Sequence, residues 1–325
     1  MTVRFAVVGC GTATKRIHLP ALRSAGADVT AFASRSRSSA EAAREQWGRG
    51  SVVDHWEEAV SRDDVDAVVV ATPNALHRDV AVAAAGAGKH VVVDKPMART
   101  VVEADEMIAA AEAGEVVLVP FHNARFVAPF AAAHNVVAEG RLGNVTGLRA
   151  AFGHGGPRAW APEATWFFDR SEAGGGCLID LGVHIIDVIR HVAGDDIVEV
   201  AALLNGPAGG VEVDAQLLVR LGGGAIGSVH ASWSSRSGPD QQLTVVGTHG
   251  TLHLDTRTPL TFLPPDGERE RVSVPESTGS PLAELLAGIR GERLPAVTAY
   301  DGRAAVAVVE AAYRSAADGC TVAVA

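Results

Sequence analysis

One stretch constrains this chain most: a short apolar run that breaks on glycines. Residues 3–8 read as a strand buried on both faces, and Gly9-Cys10-Gly11-Thr12-Ala13-Thr14 follows at once. Strand, glycine turn and helix in that order open a dinucleotide-binding unit. The first glycine makes the turn, and the second lets the backbone approach a pyrophosphate at a helix N-terminus. Gly9, Gly11, Thr12 and Ala13 are the expected contacts. Thr14 stands where that fingerprint carries Gly or Ala, and the helix expected over 12–25 is interrupted near Pro20.

The alternation continues to about residue 120, with strands expected at 29–33, 67–71, 90–93 and 116–119 and helices between them. The second strand ends Ala33-Ser34-Arg35-Ser36-Arg37, without the acid that holds an NAD ribose. The Ser34 hydroxyl and Arg35 guanidinium suit a 2′-phosphate, so NADP(H) is favoured with NAD(H) as the alternative. A solvated helix start would also account for these arginines. Two further strand ends carry Thr72-Pro73-Asn74 with His77, and Asp94-Lys95-Pro96. Ligands bind at the carboxyl ends of strands in such sheets, so both loops should line the cofactor crevice.

With 325 residues two domains are expected, and a 47% hydrophobic, 20% charged composition needs no disulfide or metal to hold its core. A net charge of −10 argues against a nucleic-acid partner, and no apolar run reaches membrane-spanning length. Cys10, Cys177 and Cys320 are an odd number at no metal-ligand spacing, as in a reducing cytoplasm.

The other distinctive stretch is 174–191. Three glycines (Gly174, Gly175, Gly176) precede an almost wholly apolar helix that bears Asp180, His184, Asp187 and His191 at spacings of four, three and four. Those intervals predict one polar stripe on a buried helix, where carboxylates and imidazoles are costly unless paired or used. Asp187 and His191 fit a satisfied core network as well as a site, whereas Asp180 and His184 point to function.

Taken together, Gly9-Cys10-Gly11, Ala71-Thr72-Pro73-Asn74 with His77, Gly88-Lys89-His90-Val91 leading to Asp94-Lys95-Pro96, Gly174-Gly175-Gly176, Asp180-Leu181-Gly182-Val183-His184 with Asp187, and Glu310-Ala311-Ala312-Tyr313-Arg314-Ser315-Ala316 resemble the glucose–fructose oxidoreductase, inositol dehydrogenase and rhizopine-catabolism family of NAD(P)-dependent oxidoreductases. The resemblance spans nearly the whole chain. It implies an N-terminal Rossmann domain with a doubly wound parallel sheet (1–122), then a C-terminal α/β substrate-binding and oligomerisation domain with a large, mainly antiparallel open sheet (123–325). The closing helix is placed to return to the first domain. It also implies a catalytic set of Lys95, Asp180 and His184. The usual Glu before the lysine is Asp94 here, one methylene shorter.

The second half agrees with that outline. A helix at 129–138 and consecutive strands at 145–152, 197–204, 211–221, 225–233, 242–246, 251–254 and 260–263 predict a meandering sheet. One face of it would be uncovered, which argues for a homo-oligomer, dimer or tetramer. The long irregular stretch 154–173 is rich in aromatics, and Asn123, Arg125, Arg158 and Trp166 are taken as substrate contacts.

The expected reaction is hydride transfer between the nicotinamide and a secondary alcohol or ketone. His184 exchanges the hydroxyl proton, and Lys95 steadies the alkoxide. The substrate class, a sugar, sugar derivative or cyclitol, comes from the resemblance. Two other readings are a catalytically silent NADP-binding regulator or scaffold, and a metal enzyme using Asp180, His184 and His191, although no metal is expected.

Overall fold

The computed structural model describes residues 2–235, 240–276 and 279–325. The chain divides into two compact units, one of Met1–His122, Ser171–Gly174 and Gly279–Arg303, the other of Asn123–Arg170, Gly175–Thr278 and Ala304–Ala325. The first unit thus takes in two segments from beyond residue 122.

Its strands are β1 (Arg4–Val8), β2 (Asp28–Ala33), β3 (Ser51–Val53), β4 (Ala67–Val70), β5 (His90–Val93) and β6 (Leu118–Pro120), in the order β3-β2-β1-β4-β5-β6. Every neighbouring pair is parallel. The connections run through α1 (Leu19–Ser24), α2 (Arg37–Trp47), α3 (Trp56–Val60), α4 (His77–Gly86) and α5 (Val101–Ala113). Helices on both faces leave no strand residue of β4 in water, hence its run of Ala67, Val68, Val69 and Val70. This is the doubly wound sheet that the sequence implies. The expectation passes over β3 and α3, whose three and five residues are too short to show a period. Strand order reverses between β1 and β4, which opens a crevice at their carboxyl ends.

Helix Pro281–Ile289 belongs to this unit, started by Ser280, whose hydroxyl accepts the Ala283 N–H at 3.2 Å. So does the first turn of the closing helix Ala299–Asp318. There Tyr300 donates to Glu112 at 2.6 Å and Arg303 Nε to Asp105 at 2.7 Å.

The second unit is built on a nine-stranded sheet. After α6 (Ala128–Ala138) come β7 (Val145–Gly153), β8 (Ile197–Asn205), β9 (Asp214–Leu221), β10 (Ile226–Ser232), β11 (Asp240–Gly247), β12 (Gly250–Asp255), β13 (Thr261–Leu263), β14 (Glu270–Arg271) and β15 (Val322–Ala323), in the order β14-β13-β12-β11-β7-β10-β9-β8-β15. Among the described strands of this sheet only β7 and β10 pair in parallel, so it is mixed but mostly antiparallel. Alternation assigns its faces. In β9 Ala215, Leu217, Val219 and Leu221 are buried, while Gln216, Leu218 and Arg220 are exposed. The buried face meets the helix Val183–Ala193, whose Val183, Ile185, Ile186, Val188, Ile189 and Val192 join the same core. The other face keeps Leu203 78%, Leu218 63% and Ile226 58% exposed. No helix among the described residues is long and apolar enough to cross a membrane.

Candidate active site

In the first unit the crevice begins at Gly9. Its φ is +94°, and a Cβ there would lie 2.2 Å from the Ala71 carbonyl oxygen. The turn after β1 therefore passes the end of β4 only because residue 9 is glycine. Gly11 faces open space, so bare backbone is presented where a phosphate would approach. The departure at Thr14 has a local role: its hydroxyl donates to the Gly9 carbonyl at 2.5 Å and closes the turn. The helix then widens into a π turn, Thr14–His18, with the Leu19 N–H on the Thr14 carbonyl. This turn precedes Pro20, whose ring would crowd the carbonyl four residues back in regular α geometry. The expected interruption near Pro20 is thus a widened turn inside a continuous helix.

At the end of β2, Arg37 is engaged by Glu41 at 3.1 Å and by Asp54. Arg35 is exposed, and among the described residues it has no ion-pair partner. Burial pushes the Cys10 thiol up to about 12, so it is not a nucleophile at neutral pH.

His77 lies between the two loops after β4 and β5. Its Nδ1 lies 2.8 Å from the Pro96 carbonyl and its Nε2 3.0 Å from the Thr72 carbonyl, and burial lowers its pKa below the usual imidazole range. Asn74 Nδ2 donates to the Ala173 carbonyl at 2.8 Å. Both side chains are buried and engaged with protein, so they shape the crevice wall. Thr72 Oγ1, by contrast, is buried with no hydrogen-bond partner among the described residues. A buried hydroxyl left this way fits a ligand polar group. With the turn at Gly9, the open Gly11 and the helix N-terminus, the residues present fit a dinucleotide. Asp94 and Lys95 stand at the end of β5 on the same sheet edge, joined to Pro96 by a cis peptide bond.

In the second unit the glycine run has a steric cause. A Cβ on Gly176 would lie 1.9 Å from the Glu212 carbonyl oxygen. Glu212 is buried, and its Oε1 accepts the Gly176 N–H at 2.8 Å, the Leu178 N–H at 3.1 Å and the Tyr313 hydroxyl at 2.7 Å. It satisfies the first amides of the following helix as a cap does. That helix opens with a second π turn, Leu178–Gly182, before the α-helical Val183–Ala193. Asp180 lies in the π turn. Its Oδ2 accepts the indole N–H of Trp233 at 2.9 Å, and its ring partner Trp233 stands edge-on to Phe168 at 5.7 Å. His184 is half-buried beside Phe152, with ring centroids 5.5 Å apart.

The four residues of the expected polar stripe meet different surroundings along this helix, whose π turn ends between Asp180 and His184. Asp187 is 0% exposed and forms a bidentate pair with Arg125, both contacts 2.7 Å. His191 stacks on His134 at 4.1 Å. Among the described residues no three His, Cys, Asp or Glu side chains are grouped as metal ligands, so Asp180, His184 and His191 do not make the facial site their spacing allowed. Of the residues taken as substrate contacts, Arg125 is the one in the buried pair. Arg158 lies over the Phe168 ring at 4.8 Å, Trp166 stacks on Phe167 at 3.8 Å, and Asn123 opens the short turn Asn123–Phe126. Trp233 and Glu212 are the residues that sequence reasoning missed.

These features define a dinucleotide-dependent oxidoreductase. Residues 3–122 match the oxidoreductase family with an NAD-binding Rossmann fold, and residues 130–253 match the GFO/IDH/MocA C-terminal domain. The chain belongs to this family. It is 33% identical to 1,5-anhydro-D-fructose reductase from Ensifer adhaerens over 97% of each chain, and 28% identical to myo-inositol 2-dehydrogenase from Thermotoga maritima over 79% of each. Among solved structures, aldose-aldose oxidoreductase from Caulobacter crescentus superposes with a TM-score of 0.88 at 28% identity, covering 99% of this chain and 100% of that one.

Proposed function

We propose that this protein transfers hydride between NADP(H) and the carbonyl or secondary alcohol of a sugar, sugar derivative or cyclitol. The observation that carries the reading is the held carboxylate of Asp180, with His184 one turn further along the same helix. Similarity over 97% of the chain to a 1,5-anhydro-D-fructose reductase supports the substrate class. Bound nicotinamide supplies or takes up the hydride. His184 gives its proton to the oxygen during reduction and removes the hydroxyl proton during oxidation. Lys95 stabilises the negative charge that develops on that oxygen. Asp180, kept in one rotamer by Trp233, accepts a substrate hydroxyl.

The choice of NADP(H) rests on Ser34 and the exposed Arg35 at the end of β2. Lys and Arg recognise phosphate, and the acid that would accept a free ribose hydroxyl is absent. The exposed Leu203, Leu218 and Ile226 support a homo-oligomer formed through the open face of the large sheet. Three free cysteines fit a reducing, cytoplasmic setting. A panel of keto sugars, aldoses and inositols, assayed in both directions with NADP(H) and NAD(H), tests the reading. Turnover of at least one class with a preference for NADP(H) supports it, and inert behaviour across the panel contradicts it.

A further inference from the structure

The π turn after Gly9 ends in a side chain that the proposed chemistry leaves unused. His18 is 2% exposed, and it lies edge-on to Phe121 with centroids 4.5 Å apart. Its Nε2 is 3.2 Å from Asp94 Oδ2. An ionised carboxylate only accepts, so the ring nitrogen carries the proton and donates. Asp94 Oδ1 takes the Lys95 backbone N–H at 2.8 Å. Burial opposes the charge on Asp94, but the His18 hydrogen bond together with the charge of Lys95 holds the carboxyl well below its usual range. With one protein donor on each oxygen, the carboxylate still has lone pairs for a ligand hydroxyl.

The sheet assigns that ligand's position. In a doubly wound sheet the end of β2 reads the adenosine ribose, so the half from β4 to β6 takes the second nucleotide. Asp94 follows β5, in that second half, while His18 comes from the helix that receives the pyrophosphate. The His18–Asp94 bond therefore spans the point where strand order reverses.

We infer that His18 is a positioning residue for the cofactor: it holds the Asp94 carboxylate to accept a hydroxyl of the nicotinamide ribose. The inference rests on the reading of the first unit as a nicotinamide-dinucleotide site. Its effect is confined to one end of the cofactor, because ADP and the 2′-phosphate are bound elsewhere on the sheet edge.

Dissociation constants of NADPH, NADH and ADP for the full-length protein, measured by calorimetry, provide the test. His18→Leu keeps the packing on Phe121 and removes the donor. It should weaken NADPH and NADH by roughly tenfold or more, as expected for a lost bond to a charged group, and leave ADP within about twofold. His18→Gln restores a donor and should recover most of the loss, and Asp94→Asn should reproduce the His18→Leu pattern if His18→Leu folds poorly. Equal weakening of ADP and the dinucleotides would reduce His18 to a structural residue, and unchanged dinucleotide binding would remove its role. Wild-type protein that bound ADP but neither dinucleotide would overturn the cofactor reading, and this inference with it.

Discussion

The indole N–H of Trp233 donates to Asp180 Oδ2 at 2.9 Å, from the strand end after β10 to the π turn of the buried helix. Hydrogen bonds to charged groups contribute about 1.5–3 kcal/mol. Trp233→Phe keeps a ring against Phe168 and removes the donor. We expect kcat/KM to fall by about ten- to a hundredfold while the thermal midpoint moves little. Steady-state kinetics and a melt on one preparation check this. Unchanged kinetics would show that Asp180 needs no such support.

Arg125 and Asp187 form a buried bidentate pair, with side chains 6% and 0% exposed. Removing one partner leaves an uncompensated charge, so Asp187→Ala should destabilise the protein by about 3–5 kcal/mol. Arg125→Met combined with Asp187→Leu should recover most of that loss, since both charges go together. Denaturant unfolding of the single and double variants measures it. A single variant of near wild-type stability would release Arg125 for a direct role with substrate.

Much of this was legible in the sequence because its period is simple. The β4 run of Ala67, Val68, Val69 and Val70 and the alternating β9 announce their sheets. The glycine turn announces the crevice. The widened turn that holds Asp180 leaves no mark in the spacing, so the interval to His184 reads as plain α-helix. Trp233 and Glu212 lie 53 and 34 residues from Asp180 and Leu178, so only the folded sheet brings them to the helix start. Glu212 could have been suspected as an acid between two valines, Val211-Glu212-Val213, just before a strand. Arg125 was read as a substrate contact since nothing local reveals its partner 62 residues away.

Cofactor choice gives a further test. Arg35→Ala should weaken NADP(H) and leave NAD(H) unchanged, because only the former offers a phosphate to the guanidinium. Binding isotherms for both cofactors decide it. Equal loss for both, or tighter NAD(H) binding by the wild type, would contradict the assignment.

The catalytic roles separate from structural ones in two variants. His184→Ala should lower kcat by about a hundredfold or more, with cofactor affinity retained. Lys95→Met keeps the apolar stem and removes the charge. It should fold, bind NADP(H) and lose kcat by roughly a hundredfold or more, the scale of one lost charge-stabilising group. Thermal melts accompany both assays. A stable, fully active Lys95→Met protein would mean that the charge after β5 takes no part in the reaction.

The most direct test of the account follows the hydride itself. The protein is incubated with a keto sugar that it turns over and with NADPH deuterated at the reactive nicotinamide carbon, and the product is analysed by mass spectrometry and NMR. The account predicts one deuterium at the new carbinol carbon when the correctly deuterated face is used, none when the opposite face is used, and a hydroxyl proton drawn from solvent. Product without deuterium from either face would contradict hydride transfer by this protein.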